Sequence, residues 1–307
     1  MSQFKGTYVF KQGGVEIGRS SNLITSNGRK MILQFLSGNR PDWAADMAIG
    51  AMPTPSPTVA DTQLNFETSR YPVTLKSFIS AGMDGINPDL IVVRASLPSN
   101  LYANIYEIGL YATSSAKYST STRNNVVLSD FSNLSDWSAT GPAVIPNAYV
   151  PQGYGSPRIG ANSVSFMPST TYTNSKLSIG FSNYTALDSL QLLLFNTAST
   201  TGASGTITIV LTDSSNTTQT LVFTTPNLAG YSVVSKQFTS SIINFTTITG
   251  ISITTDANTY ATIDAIKVLS SNEISLEESL VSKAVLTTPI AKNPNVPLDV
   301  EYYVELL

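Results

Sequence analysis

The closing run of the chain, VPLDVEYYVELL, constrains the fold more than any other stretch. Leu298, Val300, Tyr302, Val304 and Leu306 alternate with Asp299, Glu301, Tyr303 and Glu305, so one side is apolar and the other polar. That period of two predicts a half-buried β-strand. A strand of this kind, or a lone hairpin, is marginal in water and must join a larger sheet. The N-terminal part supplies partners. Gly6 to Arg19 reads as a hairpin about Gln12-Gly13-Gly14, because consecutive glycines provide the positive φ of a tight turn. Further strands are predicted at Tyr71 to Ile79, at Leu90 to Leu97 and at Asn104 to Ala112. In the second of these, Ile91, Val93, Ala95 and Leu97 alternate with Val92, Arg94 and Ser96. One short helix is predicted in SNGRKMILQFLSG, with Ser26 as N-cap, Met31, Ile32, Phe35 and Leu36 on the buried face and Gly38 as the stop.

Between these partners and the closing strand the composition changes. From about Thr113 the run TSSAKYSTSTRNN is polar and suits a bridge between cores. Short apolar runs then recur from Val126 to Leu269: VSF, KLSIGF, LQLLLF, TITIVLTD, QTLVFTT, YSVVSKQF, GISITTD and YATIDAIKVL. Their spacing, with no helical window between them, predicts an antiparallel sandwich or jelly roll of eight or nine strands. A second polar bridge, SSNEISLEES, precedes the tail. The expected fold is therefore mainly β: a small β-rich (α+β) domain with one short helix, 1–115 plus 270–307, interrupted by a β-sandwich at 119–269. Only 12% of residues are charged, so Ser, Thr and Asn must cover much of the surface.

The same composition excludes several chemistries. The chain has neither histidine nor cysteine, so Ser-His-Asp and Cys-His arrangements, HExxH and zinc-cluster sites and disulfides are all ruled out. Neither GYGS nor QGG fits a nucleotide-binding loop. The expectation is a non-enzyme. A net charge of −3 without a basic block argues against nucleic acid. No apolar run approaches the roughly 20 residues of a membrane span, and the first residues do not read as a secretory leader, so synthesis in a cytoplasm is expected.

Candidate ligand residues lie in the middle block. Tyr149, Tyr154, Tyr184 and Tyr231 fall in its loops and strand ends. A flat aromatic ring stacks on the C–H face of a sugar while side chains such as Arg158 take its hydroxyls, so these five form the candidate glycan set. Asp264 is an acid inside an apolar strand. Either it faces solvent by alternation or, with Asp130 and nearby carbonyls, it holds a structural Ca²⁺; no other cofactor is expected. Trp137 is expected in the core.

NLITSNGRKMILQFL (22–36), MAIGAMPTPSPTVADTQLNFETSR (47–70), NIYEIGLYA (104–112) and SKAVLTTPIAKNPNVPLDVEYYVEL (282–306) occur in the order seen in small tail, fibre or baseplate-associated proteins of bacteriophages, which the split domain resembles. In that pattern the EIGL strand is followed closely by SKAVL, a Pro-Ile-x-Lys turn and a closing strand, so the middle block is an insertion. The insertion resembles carbohydrate-binding jelly-roll modules through FSNLSDW and Asp264. These resemblances imply a structural virion protein of a tail, baseplate or fibre, located in the virion. It would anchor through contacts with other virion proteins, form a homo-oligomer and display the sandwich outwards. The alternatives they leave are a receptor-binding protein recognising host surface glycans and a head or neck decoration protein.

Overall fold

The computed structural model describes residues 4–39, 42–80, 89–101, 103–112, 127–131, 133–140, 145–146, 163–179, 188–196, 205–226, 230–239, 243–259, 261–269, 280–292 and 295–306. These residues are mainly β, with one α-helix among them. The chain divides into two compact units, Met1–Arg123 with Ile274–Leu307, and Asn124–Glu273.

In the first unit β1 (Phe4–Gln12) and β2 (Val15–Ser21) form the opening hairpin. Its turn glycines, Gly13 and Gly14, lie at φ +58° and +81°, where a Cβ would be strained. β3 (Leu23–Ile24) leads into α1 (Ser26–Leu36). The cap is Thr25 rather than Ser26: its hydroxyl accepts the Gly28 N–H at 2.9 Å. Phe35 and Leu36, expected to be buried, are 39% and 66% exposed. Gly28 explains the difference. A Cβ there would stand 2.0 Å from the Val281 carbonyl oxygen, so backbone meets backbone at the start of the helix. Burial therefore centres on Gly28, Met31 and Ile32, and the last turn stays in solvent.

β4 (Asp46–Gly50), β5 (Glu67–Pro72), β6 (Leu75–Ile79), β7 (Leu90–Leu97) and β8 (Ala103–Tyr111) follow. After eleven described strands in the second unit the chain returns as β20 (Leu280–Lys292) and β21 (Leu298–Leu306). Two five-stranded sheets result, in the orders β2-β1-β21-β7-β6 and β3-β20-β8-β4-β5. The alternating closing strand is central, antiparallel to β1 on one side and β7 on the other. Leu298, Val300, Tyr302 and Val304 pack with Tyr8, Phe10 and Leu97 from their own sheet, and with Met47, Ile105, Leu110 and Ala284 from the other. The two sheets thus share one core, and hydroxyls also tie them together. Tyr8 and Ser282 hydrogen-bond at 2.6 Å, and Asn22 donates to the Tyr302 hydroxyl at 2.8 Å.

Two expectations are corrected. The predicted single strand Tyr71 to Ile79 is two strands in different sheets, because the chain leaves one sheet at Pro72, which cannot donate to a ladder. The predicted Pro-Ile-x-Lys turn lies within β20. There the register with β8 slips between Val285↔Glu107 and Ile290↔Ile105, so Leu286 to Pro289 bulge opposite Tyr106 and the proline escapes the ladder.

Buried charges organise both faces of this unit. Glu107 accepts the N–H groups of Met52, Asn65 and Phe66 at 3.0, 2.6 and 3.0 Å. Lys283 places Nζ 3.1 Å from Asp61 and 3.6 Å from Glu107, so together they pin the loop between β4 and β5. On the polar side of β21, Glu301 takes Lys11 at 2.6 Å, Arg94 Nε at 2.9 Å and the Tyr303 hydroxyl. Burial works to raise the Glu301 pKa, but the hydrogen bonds from Lys11, Tyr303 and Arg94 outweigh it and hold it below the usual range. A depressed folded pKa contributes stability that is present above the unfolded value of about 4.3 and lost as pH falls through the folded one. The first unit should therefore lose stability on acidification below about pH 4.5 more steeply in the wild type than in Glu301→Gln. Urea titrations at stepped pH check this, and equal slopes would refute it.

The second unit is a sandwich with its own core. Its strands are β9 (Val127–Ser129), β10 (Trp137–Thr140), β11 (Ile145–Pro146), β12 (Val164–Phe166), β13 (Thr171–Asn174), β14 (Ser189–Asn196), β15 (Thr206–Asp213), β16 (Thr218–Thr224), β17 (Gly230–Gln237), β18 (Ile248–Thr255) and β19 (Ala261–Leu269). One sheet runs β10-β13-β18-β15-β16; the other runs β11-β12-β19-β14-β17, with β9 also paired to β19. Ile207, Ile209, Leu211, Leu221, Phe223, Ile251 and Ile253 from the first meet Leu190, Leu192, Leu194, Ile263, Ile266 and Val268 from the second. Trp137 is in this core, stacked on Tyr172 at 4.8 Å. KLSIGF, expected as a strand, contributes only the Ile179–Ile248 bridge among the described residues.

Candidate functional site

β19 is the strand around which the candidate residues gather. It pairs along one edge with β14 and along the other with β12, through Ala261–Ile263, and then with β9, through Ile266 and Lys267. On the β14 side Leu194 faces Ile263 and Leu193 faces Ala265, so Asp264 is an extra, bulged residue. Such a bulge re-aims a side chain. Asp264 is fully buried, which corrects the expectation that it faces solvent by alternation: the bulge breaks the alternation at this residue.

Register also brings the second predicted acid close. Ser129 of β9 lies opposite Ile266, so the chain arrives at half-buried Asp130 beside the bulge. It then turns sharply. Phe131 sits at φ +52°, an unusual state for a bulky side chain, and donates its N–H to Ser129 Oγ at 3.2 Å. Two carboxylates and an irregular backbone offer the hard oxygen donors that Ca²⁺ prefers. Among the described residues no group of three or more acidic side chains gathers, so carbonyls would have to complete a shell. Lys267, 1% exposed, is a second charge buried in the same strand.

The outer face of this sheet is ordered in rows. Tyr231, Phe195 and Thr262 lie side by side on β17, β14 and β19, and Thr262 hydrogen-bonds to Ser165 on β12. Val233, Leu193 and Ala265 form the next row, and Ser235, Gln191 and Lys267 the third, in which Gln191 donates to Ser235 Oγ at 2.9 Å. Tyr231 is half-buried, with its ring edge-on to Phe195 at 5.2 Å. Phe195, Leu193, Ala265, Gln191, Thr262 and Lys267 are all buried, so this face is covered, and of the three rows only Tyr231, Val233 and Ser235 on β17 reach the surface. Tyr149, Tyr154, Arg158 and Tyr184 lie outside the described residues. The burial of Lys267 was not anticipated, although a lysine inside YATIDAIKVL is the same signal as Asp264.

The outer face of the other sheet is different. Thr140, Thr171, Thr254, Thr208 and Val222 form one row across five strands, and Ser138, Thr173, Ser252, Val210 and Thr220 the next. These side chains are all half-buried or exposed and none is charged. Thr171 and Thr254 hydrogen-bond at 3.0 Å, which holds the hydroxyl array in register.

No family model matches the chain, and no curated protein matches it. Solved structures similar to part of it include an exo-β-agarase, at 12% identity and TM-score 0.36 over 47% of this chain and 25% of that one. A family 11 carbohydrate-binding module from Clostridium thermocellum, in complex with a β-1,3-1,4-mixed-linked tetrasaccharide, is similar at 13% identity and TM-score 0.32, over 47% of this chain and 94% of that one. The enzymatically active domain of bacteriophage CBA120 tailspike protein 4 is similar at 12% identity and TM-score 0.30, over 48% of this chain and 21% of that one. The chain thus spans about a quarter or less of the agarase and the tailspike domain.

Proposed function

We propose that the chain is a non-catalytic structural component of a bacteriophage tail, baseplate or fibre, whose split unit makes the particle contacts and whose inserted sandwich recognises surface glycans. The observation that carries this is the splice. β8 ends at Tyr111 and β20 begins at Leu280, and these two residues are antiparallel partners in one sheet. The first unit therefore closes across the insertion as a hairpin would across its loop, and the second unit is free to serve as a separate recognition module. The phrases that resemble those of phage tail proteins lie entirely in the closing unit, which supports its assembly role. Half-buried Tyr231 and exposed Ser235, both on the edge strand β17, support sugar recognition.

The full-length chain is expected in purified virions by mass spectrometry, and its absence would refute the virion role. It is expected to bind host surface polysaccharide on a glycan array, with no reducing ends released. Tyr231→Ala should weaken binding about 5- to 10-fold, the equivalent of ~1–1.4 kcal/mol of aromatic contact, measured below the melting transition of the variant, which loses the packing of this ring on Phe195. Undiminished binding would remove Tyr231 from the site.

Asp264 and Asp130 are the side chains that would hold a structural Ca²⁺ beside the β19 bulge. At roughly 100 times Kd, Ca²⁺ stabilises by about 2.7 kcal/mol, which raises the melting temperature by about 5–11 °C for a unit of this size. Asp264→Asn should abolish that shift. If Ca²⁺ leaves the wild-type transition unmoved, these side chains hold no structural Ca²⁺.

A further inference from the structure

β6 is the outermost strand of its sheet, paired with β7 alone among the described strands, and every one of its five residues is exposed. Leu75, Phe78 and Ile79 are 40%, 64% and 48% exposed, and Ile91, directly opposite Phe78 on β7, is 39% exposed. Natural edge strands guard against pairing with charges or prolines. Two of the other three outer strands of this unit do so, β2 with Glu16 and Arg19 in an ion pair and β5 with Glu67 and Arg70 in another, and the third, β3, is only two residues long. β6 has only Lys76, which is held by Asp42. By the antiparallel pattern, alternate backbone N–H and C=O groups of β6 point away from β7, on the side where no other described strand pairs with it.

We propose that this edge pairs with β6 of a second copy of the chain, antiparallel and about a two-fold axis through Ser77, joining two five-stranded sheets into one. The sequence LKSFI is self-complementary in that arrangement. A two-fold axis normal to the sheet requires opposed residue numbers with an even sum, and only the register centred on Ser77 pairs all five residues. On one face it sets Leu75 against the partner subunit's Ile79. On the other it sets Lys76 against the ring of the partner subunit's Phe78, a cation–π pair that suits a lysine whose charge is already balanced by Asp42. Each contact is repeated by symmetry, as an isologous interface demands. At the roughly 30–40 Å² per residue of ordinary interfaces, five residues a side bury only a few hundred Å², below the ~1,000 Å² of a stable interface, so the dimer is weak, reversible and concentration-dependent. This assigns a surface to the expected homo-oligomer, and it holds whether or not the chain binds glycans or enters a virion.

Because the chain has no cysteine, Ser77→Cys introduces a single thiol at the axis. The full-length variant should form a disulfide-linked dimer under mild oxidation at micromolar concentration, since self-opposed residues bring their Cα atoms within the roughly 4.4–6.8 Å that a disulfide needs. Thr220→Cys, on the hydroxyl face of the second unit, is the control and should stay monomeric. Sedimentation of the cysteine-free chain should show a monomer–dimer equilibrium that Phe78→Lys weakens at least tenfold, with its circular dichroism unchanged. A chain that stays monomeric throughout overturns the proposal. So does a dimer that ignores Phe78→Lys and leaves the Ser77→Cys thiols unlinked, because its interface lies elsewhere.

Discussion

Replacing Lys283 with methionine is expected to lower the melting temperature of the first unit by about 6–20 °C. The figure follows from the roughly 3–5 kcal/mol lost when one partner of a buried ion pair is removed, at about 2–4 °C per kcal/mol for a unit of this size. Lys283 is 1% exposed and Glu107 fully buried. The lysine also donates to the side chain of Asn65 at 3.1 Å, so the substitution strips the carboxylate of its counter-charge and frees the loop between β4 and β5. Methionine keeps the length of the stem, so the effect isolates charge from packing. The pH dependence identifies the cause. Burial raises the Glu107 pKa, and Lys283 with the N–H groups of Asn65, Phe66 and Met52 opposes that rise. A folded pKa above the unfolded one means stability is present below the unfolded value of about 4.3 and lost as pH rises through the folded value. Without Lys283 the folded value climbs further, so the variant's deficit should shrink as the pH is lowered from neutral. A deficit under about 2 °C, or one independent of pH, would show that the pair does not hold this loop.

Trp137→Ala should destabilise the inserted sandwich by about 3–5 kcal/mol, the usual cost of emptying a large aromatic site, and leave the first unit unmoved. Trp137 is stacked on Tyr172 at 4.8 Å and 15° and leans on Phe131 at 5.2 Å, while Phe166 meets Tyr172 edge-on at 5.9 Å. Its removal opens the centre of an aromatic cluster that rigid strands cannot close. No residue is shared between the two cores. The chain contains two tryptophans, Trp43 and Trp137, one in each unit, so fluorescence of the variant reports the first unit through Trp43 alone. Calorimetry should show one transition moved down and one in place. Movement of both together would mean that the units unfold as a single cooperative body.

These two sites differ in how far the sequence revealed them. Trp137, flanked by Asp136 and Ser138, was expected in the core at the entry to the sandwich, and it lies there. The Lys283 and Glu107 pair was not anticipated: the two residues are 176 positions apart, and nothing local to SKAVL or YEIGL says that the charges will meet. Glu301 was assigned to a polar face by alternation, but its burial under Lys11, Arg94 and Tyr303 depends on which strands flank β21.

What the sequence determined by itself was periodic and local. The alternation of Leu298 to Leu306, the double glycine of the first hairpin and the helix of MILQFL each follow from the conformational limits of a few adjacent residues. The mainly β class follows from the sum of such limits. Tertiary structure decided the registers. It split Tyr71 to Ile79 between two sheets at Pro72, absorbed Pro289 in a bulge of β20, and buried Asp264 by inserting one residue between Ile263 and Ala265. A bulge is invisible in a period of two, because it is defined by the partner strand. For the same reason the exposed edge at β6 emerged only once the other four strands of its sheet had found their places.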